Sequence, residues 1–232
     1  MKSKRLERSM PQVELEKFRT KISNLSNSVR FDEARALCLA MAKRYEKNAE
    51  FLFMEAVYEA EDDTGFTPKQ VAARHARAAA KIKKLFPKIR SLEPRIRGKM
   101  RNEYYWFSHQ PKKQYELGRE LVAKGNVRSN YSQGVGAVEV AKVYANEGKH
   151  ALCVRWAKKS ELAWKKFFKS DPSWFNAYFF YAMALGYQNR FEEMDAALLN
   201  ASKYAGKPKS WDATAQCRRE IMDVVAKLNS AK

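Results

Sequence analysis

Apolar residues recur at three- and four-residue spacing along almost the whole chain, the period of a helix with one buried face. Short polar breaks interrupt the pattern, and each carries residues that start or stop helices. Eleven helices are predicted, over 11–27, 31–46, 49–62, 67–86, 92–109, 111–124, 131–147, 149–169, 173–188, 191–204 and 210–229. In "TPKQ" (67–70) Thr67 is placed to cap the fourth helix, Pro68 to begin it and Gln70 to reach back to the cap. "DPSW" (171–174) and "GKPKSW" (206–211) divide neighbouring helices. Alternating Val/Ile/Thr runs and tight hairpin signals are missing, and Gly and Pro number only 9 and 7, so the chain reads as all-α.

Some of these helices repeat one another. "RFDEARALCLA" (30–40) aligns without a gap with "RFEEMDAALLN" (190–200). In each copy an aromatic follows the turn and acidic residues follow the aromatic; in the first, Ala34, Cys38 and Met41 then mark one face. In "EGKHALCVRWAKKSE" (147–161) the preceding helix ends near Tyr144, and Cys153, Ala157 and Ser160 occupy matching places. Small side chains are what a second helix needs where it crosses the first at close range.

This helical hairpin resembles the tetratricopeptide repeat family, over 11–46, 131–169 and 173–204. The resemblance implies a right-handed superhelical α-solenoid of about five helical hairpins, because such units bury their faces only against neighbours. A C-terminal capping helix is expected to close it, with Cys217, Ile221, Val224, Val225 and Leu228 forming its one apolar stripe. Residues 1–10 then read as a basic tail, 11–209 as the repeat domain, and 210–232 as the cap and C-terminal tail.

Charge changes the picture more than composition does. The net charge is +19, and two segments supply most of it: 69–101, with 12 Lys/Arg against Glu93 alone, and 149–169, with 7 against Glu161 alone. Residues 1–68 balance at 12 of each sign, so the chain is not uniformly basic. No apolar run approaches the roughly 20 residues that span a bilayer, and the charged opening has no apolar core behind it, so neither a membrane span nor a secretory signal is expected and a cytoplasmic location is. Cys38, Cys153 and Cys217 are widely spaced and odd in number, which suits reduced thiols packed as small apolar groups.

Candidate chemistry is thin. The three histidines, His75, His109 and His150, are scattered, and although Glu147 and His150 have the spacing of a metal-ligand pair, they straddle a helix break. "EAEDDTG" (59–65) lacks the alternating oxygen ligands of a calcium loop, and no phosphate-binding glycine loop or nucleophile elbow is present. No catalytic residue, metal or cofactor is expected, and the chain is read as non-enzymatic.

Two surfaces are candidates instead. By the resemblance, first helices of each hairpin line a concave groove, which would present Val138, Lys142 and Asn146 beside Asn176, Phe179, Met183 and Tyr187 to a partner peptide or helix; the alternative is that this aromatic stripe packs under the final helix or a neighbouring unit. The chaperone-binding members of the family grip a carboxylate with a clamp that Arg19 and Ser23 complete only in part, so that function is not carried over. The second surface is the basic stretch, with Lys81, Lys84 and Lys88 on one flank and Arg95, Arg97, Lys99 and Arg101 after Pro94. It either solvates a helix pair, meets an acidic protein or anionic membrane, or binds RNA or DNA together with 149–169, the aromatics of "EYYWF" (103–107) being near enough to stack if exposed. A protein-interaction scaffold is the first expectation, a basic nucleic-acid-binding repeat protein the second, and self-association is open.

Overall fold

Among the described residues eleven α-helices form where the apolar period predicts them, and no strand is present. They are α1 (Gln12–Asn27), α2 (Phe31–Arg44), α3 (Ala49–Glu61), α4 (Pro68–Leu85), α5 (Pro94–Phe107), α6 (Pro111–Ala123), α7 (Asn130–Asn146), α8 (His150–Ser170), α9 (Phe175–Gly186), α10 (Phe191–Tyr204) and α11 (Asp212–Ser230). The computed structural model describes residues 10–27, 30–45, 48–61, 66–208 and 212–230. The N-terminal tail up to residue 9, the rest of the acidic run at 62–65 and part of the break before α11 lie outside them.

Helix ends follow the local chemistry. The Thr67 hydroxyl accepts from the Gln70 N–H, the Gln70 side chain accepts from the Thr67 N–H at 2.8 Å, and Pro68 opens α4, a complete capping box. The turns before α8 and α10 share a different device. Gly148 (φ 68°) and Asn189 (φ 60°) take the left-handed conformation that glycine and asparagine tolerate. The next residue then donates its N–H back five positions, from Lys149 to Tyr144 O at 2.8 Å and from Arg190 to Leu185 O at 3.1 Å. Arg30 bonds Leu25 O in the same way at 2.9 Å. The aligned copies match in side chains as well. Arg30 grips Glu33 and Arg190 grips Glu193 with two hydrogen bonds each, and Ala34 and Cys38 are buried like Met194 and Leu198.

The chain gathers into two compact units, divided between His109 and Gln110. In the first, α3 is buried on nearly every side. Phe51 and Tyr58 join a cluster with Phe18 and Ile22 of α1 and Ala34 and Cys38 of α2, while Phe53, Ala56 and Ala60 join another with Ala78 and Ile82 of α4 and Met100 and Phe107 of α5. Because α3 also carries acids, Glu50 and Glu55 are taken inside with it.

In the second unit α7 is central, packed against α6 and α8, with the α9/α10 hairpin following. Gly136 lets α6 lie directly on α7: a Cβ there would sit 2.5 Å from the Tyr115 backbone nitrogen. The final helix packs across α7, α9 and α10 and buries Ile221, Val225 and Leu228 of its expected stripe, with Cys217 and Val224 half-buried beside them.

Candidate functional site

Two of the seven groove residues are core. Val138 is fully buried and Tyr187 is 1% exposed, which corrects their placement on an open groove. The physical reason is α11, which lies against α7 and α9 where a partner was expected, and Ile221 reaches the space that Gly186 leaves empty. Burial drives the Tyr187 hydroxyl far above the ordinary tyrosine range, with Glu139, Cys153, Cys217 and Glu220 adding to the effect. Phe179 and Met183 are half-buried against the same core, and Lys142 is half-buried near Cys217; Asn146 and Asn176 are exposed.

The three thiols are unbridged. Burial pushes Cys38 and Cys217 up to about 12 and Cys153 up to about 11, which removes thiolate chemistry near neutral pH. Among the described residues no group of three His, Cys, Asp or Glu is placed to hold a metal ion.

Lys81, read from the sequence as part of a solvated basic flank, turns inward instead. Its amine bonds both oxygens of Glu55, at 3.2 and 3.1 Å, and also Glu59. Arg35 meets Glu55 at 3.1 Å, Arg77 approaches Glu59 at 3.6 Å, and Arg19 spans Glu50 at 2.8 Å and Glu93 at 3.0 Å. Burial alone would raise the Glu59 carboxyl, but Lys81, Arg35 and Arg77 outweigh it and hold it low. Of the other candidates, Lys84, Lys88, Arg95 and Lys99 are exposed, and Arg97 and Arg101 are half-buried. The neighbouring aromatics serve mainly as packing: Phe107 is core, Tyr104 meets Phe86 at 5.0 Å, and Tyr104 and Trp106 lie against the second cluster.

The second unit arranges its cations differently. On α8, Arg155, Lys158, Lys165, Lys166 and Lys169 are exposed along one side, with Leu162 at 60% exposure among them; on α6, Lys112, Lys113 and Arg119 are exposed. Lys165 pairs with Glu161. Among the described residues none of Arg119, Arg155, Lys158 and Lys159 has a carboxylate within ion-pair distance, Glu116 of α6 included. For Lys159, aromatic rings stand in that place. The Lys159 amine lies 3.9 Å from the Trp156 ring centre and 5.5 Å from that of Tyr115; Lys112 approaches the Tyr144 ring at 5.6 Å, and Lys149, which pairs with Glu147 at 2.8 Å, approaches it at 5.9 Å. Tyr115 and Trp156 meet edge to face with centroids 5.1 Å apart. Burial, then the nearby charges of Arg155 and Arg119, hold the Lys159 amine below the ordinary lysine value.

Tyr115 and Trp156 sit on different helices, so no single run of sequence displays them as a pair. The available signal is local: a cation one turn before or after an aromatic, as in Lys112 and Tyr115 or Trp156 and Lys159. Comparison with protein-family models, curated proteins and solved structures finds no match to this chain.

Proposed function

We propose that this chain is a non-enzymatic helical-repeat binding protein that holds nucleic acid on the α6/α8 face of its second unit. The observation that carries the reading is the set of cations on that face, Arg119, Arg155, Lys158 and Lys159, which among the described residues have no carboxylate within ion-pair distance, Lys159 lying instead over the Trp156 and Tyr115 rings. Phosphates supply the missing counter-charge, and their binding releases condensed counterions. A peptide in the α7/α9 groove, the first expectation from the repeat resemblance, would have to displace α11, so that reading stands second.

The test is a salt titration of oligonucleotide binding by fluorescence anisotropy, with the full chain and with Lys158→Glu/Lys166→Glu. Binding that weakens steeply with salt is expected, and the variant, altered only at exposed positions, should bind at least tenfold more weakly, at roughly 1.4 kcal/mol per decade. No binding at low salt would overturn the reading.

A further inference from the structure

Resting on the nucleic-acid reading above, we infer that the Tyr115–Trp156 pair is a stacking subsite for an unpaired base, so that the ligand of the α6/α8 face is single-stranded. The pair is anchored from behind. Gly136 fixes the approach of α6 to α7, and Cys153 and Ala157, which flank Trp156 along α8, are fully buried. Both rings nevertheless are only half-buried, and an edge-to-face contact leaves ring surface that the partner ring does not cover.

What lies over that surface is the Lys159 amine, 3.9 Å from the Trp156 ring centre. An ammonium over an accessible indole is a weak hold, whereas a base stacked on an aromatic side chain binds more strongly. A base arriving at Trp156 therefore displaces an ammonium and frees it for the phosphate that arrives with the base. Arg119 and Arg155, which already press on Lys159, gain a counter-charge in the same event. A duplex keeps its bases stacked within itself and offers these rings nothing flat. An acidic peptide or an anionic lipid surface likewise satisfies the cations and leaves the rings unused.

The experiment compares three probes on the unmodified chain at low salt: oligothymidylate, an abasic phosphodiester of the same length, and a duplex of the same length. Oligothymidylate should bind roughly tenfold or more tightly than the abasic chain, the gain expected from stacking one or more bases. Trp156→Leu should reduce that ratio towards one while leaving the salt slope unchanged, because the slope counts phosphates. Equal, salt-dependent binding of all three probes would overturn the stacking subsite and leave the nucleic-acid reading standing, as would a duplex that binds as tightly as oligothymidylate. Failure of every probe, with retention on phosphatidylserine vesicles or without it, would overturn both. Since the probe comparison uses the unmodified chain, the inference remains testable even if Trp156→Leu fails to fold.

Discussion

The two units carry almost the same excess of positive charge, 24 Lys/Arg against 14 acids in 1–109 and 21 against 12 in 110–232, yet they place it in opposite ways. In the first unit α3 brings Glu50, Glu55 and Glu59 into or near the core, and cations from three neighbouring helices, Arg19, Arg35, Arg77 and Lys81, reach in to meet them. In the second unit the buried carboxylate Glu161 takes Lys165, Arg190 and Gln188, while among the described residues Arg119, Arg155, Lys158 and Lys159 have no carboxylate within ion-pair distance and Lys159 lies over the Trp156 ring. Net charge alone does not distinguish a structural cation from a binding one. The difference is whether a carboxylate is buried within reach.

The largest effect should come from breaking the first unit's arrangement. Glu55→Ala removes the buried carboxylate that Arg35 and Lys81 share and leaves them Glu59, and losing hydrogen bonds of this charged kind costs about 1.5–3 kcal/mol. Denaturant unfolding followed by circular dichroism should show the midpoint of the first unit falling. A midpoint unchanged within error would show that the cluster is decorative.

Acid provides a second, smaller lever that acts on both units. Burial would raise Glu161, but Lys165, Arg190 and Gln188 more than reverse that and hold its carboxyl at about 2. A carboxyl whose folded value lies below its unfolded one stabilises the fold above the unfolded value and loses that contribution as pH falls. The stability contributed by Glu161 is therefore present above about 4.5 and is lost between there and about 2. Glu59 is shifted in the same direction, so the first unit weakens on the same side of neutrality. Thermal melts between pH 6 and about 3 should fall monotonically, and Arg190→Gln should flatten the fall in the second unit. A melt that rises as pH drops through this range would contradict the sign.

The helices and the match between 30–40 and 190–200 were legible because both are written in short-range patterns. Thr67, Pro68 and Gln70 specify the start of α4 by themselves, and the alignment of 30–40 with 190–200 already contains the Arg–Glu pair found at the starts of α2 and α10. The groove was less legible because it depends on where α11 goes. Residues 174–188 carry two apolar stripes and α11 carries one, and nothing local states that the final helix covers the second stripe of α9; Gly186, where Ile221 fits, is the only hint in the sequence. The role of Lys81 was hidden for the same reason. Its partners Glu55 and Glu59 lie on another helix, so a charge run that looks solvated along the chain is partly neutralised in space.

The smallest effect makes the comparison sharpest. Arg155→Gln removes a cation that has no carboxylate partner among the described residues and that presses on Lys159, so it should not destabilise the second unit, and a change within about 0.5 kcal/mol is expected for an exposed site of this kind. The Lys159 amine should move back towards its ordinary value, because one of the charges holding it down is gone. Ligand affinity should fall even so, since the same cation is available to a phosphate. Measured side by side with Glu55→Ala, the variant should lose binding without stability where the other loses stability first. If Arg155→Gln instead unfolds the second unit, its cations are structural after all, and the contrast between the two units disappears.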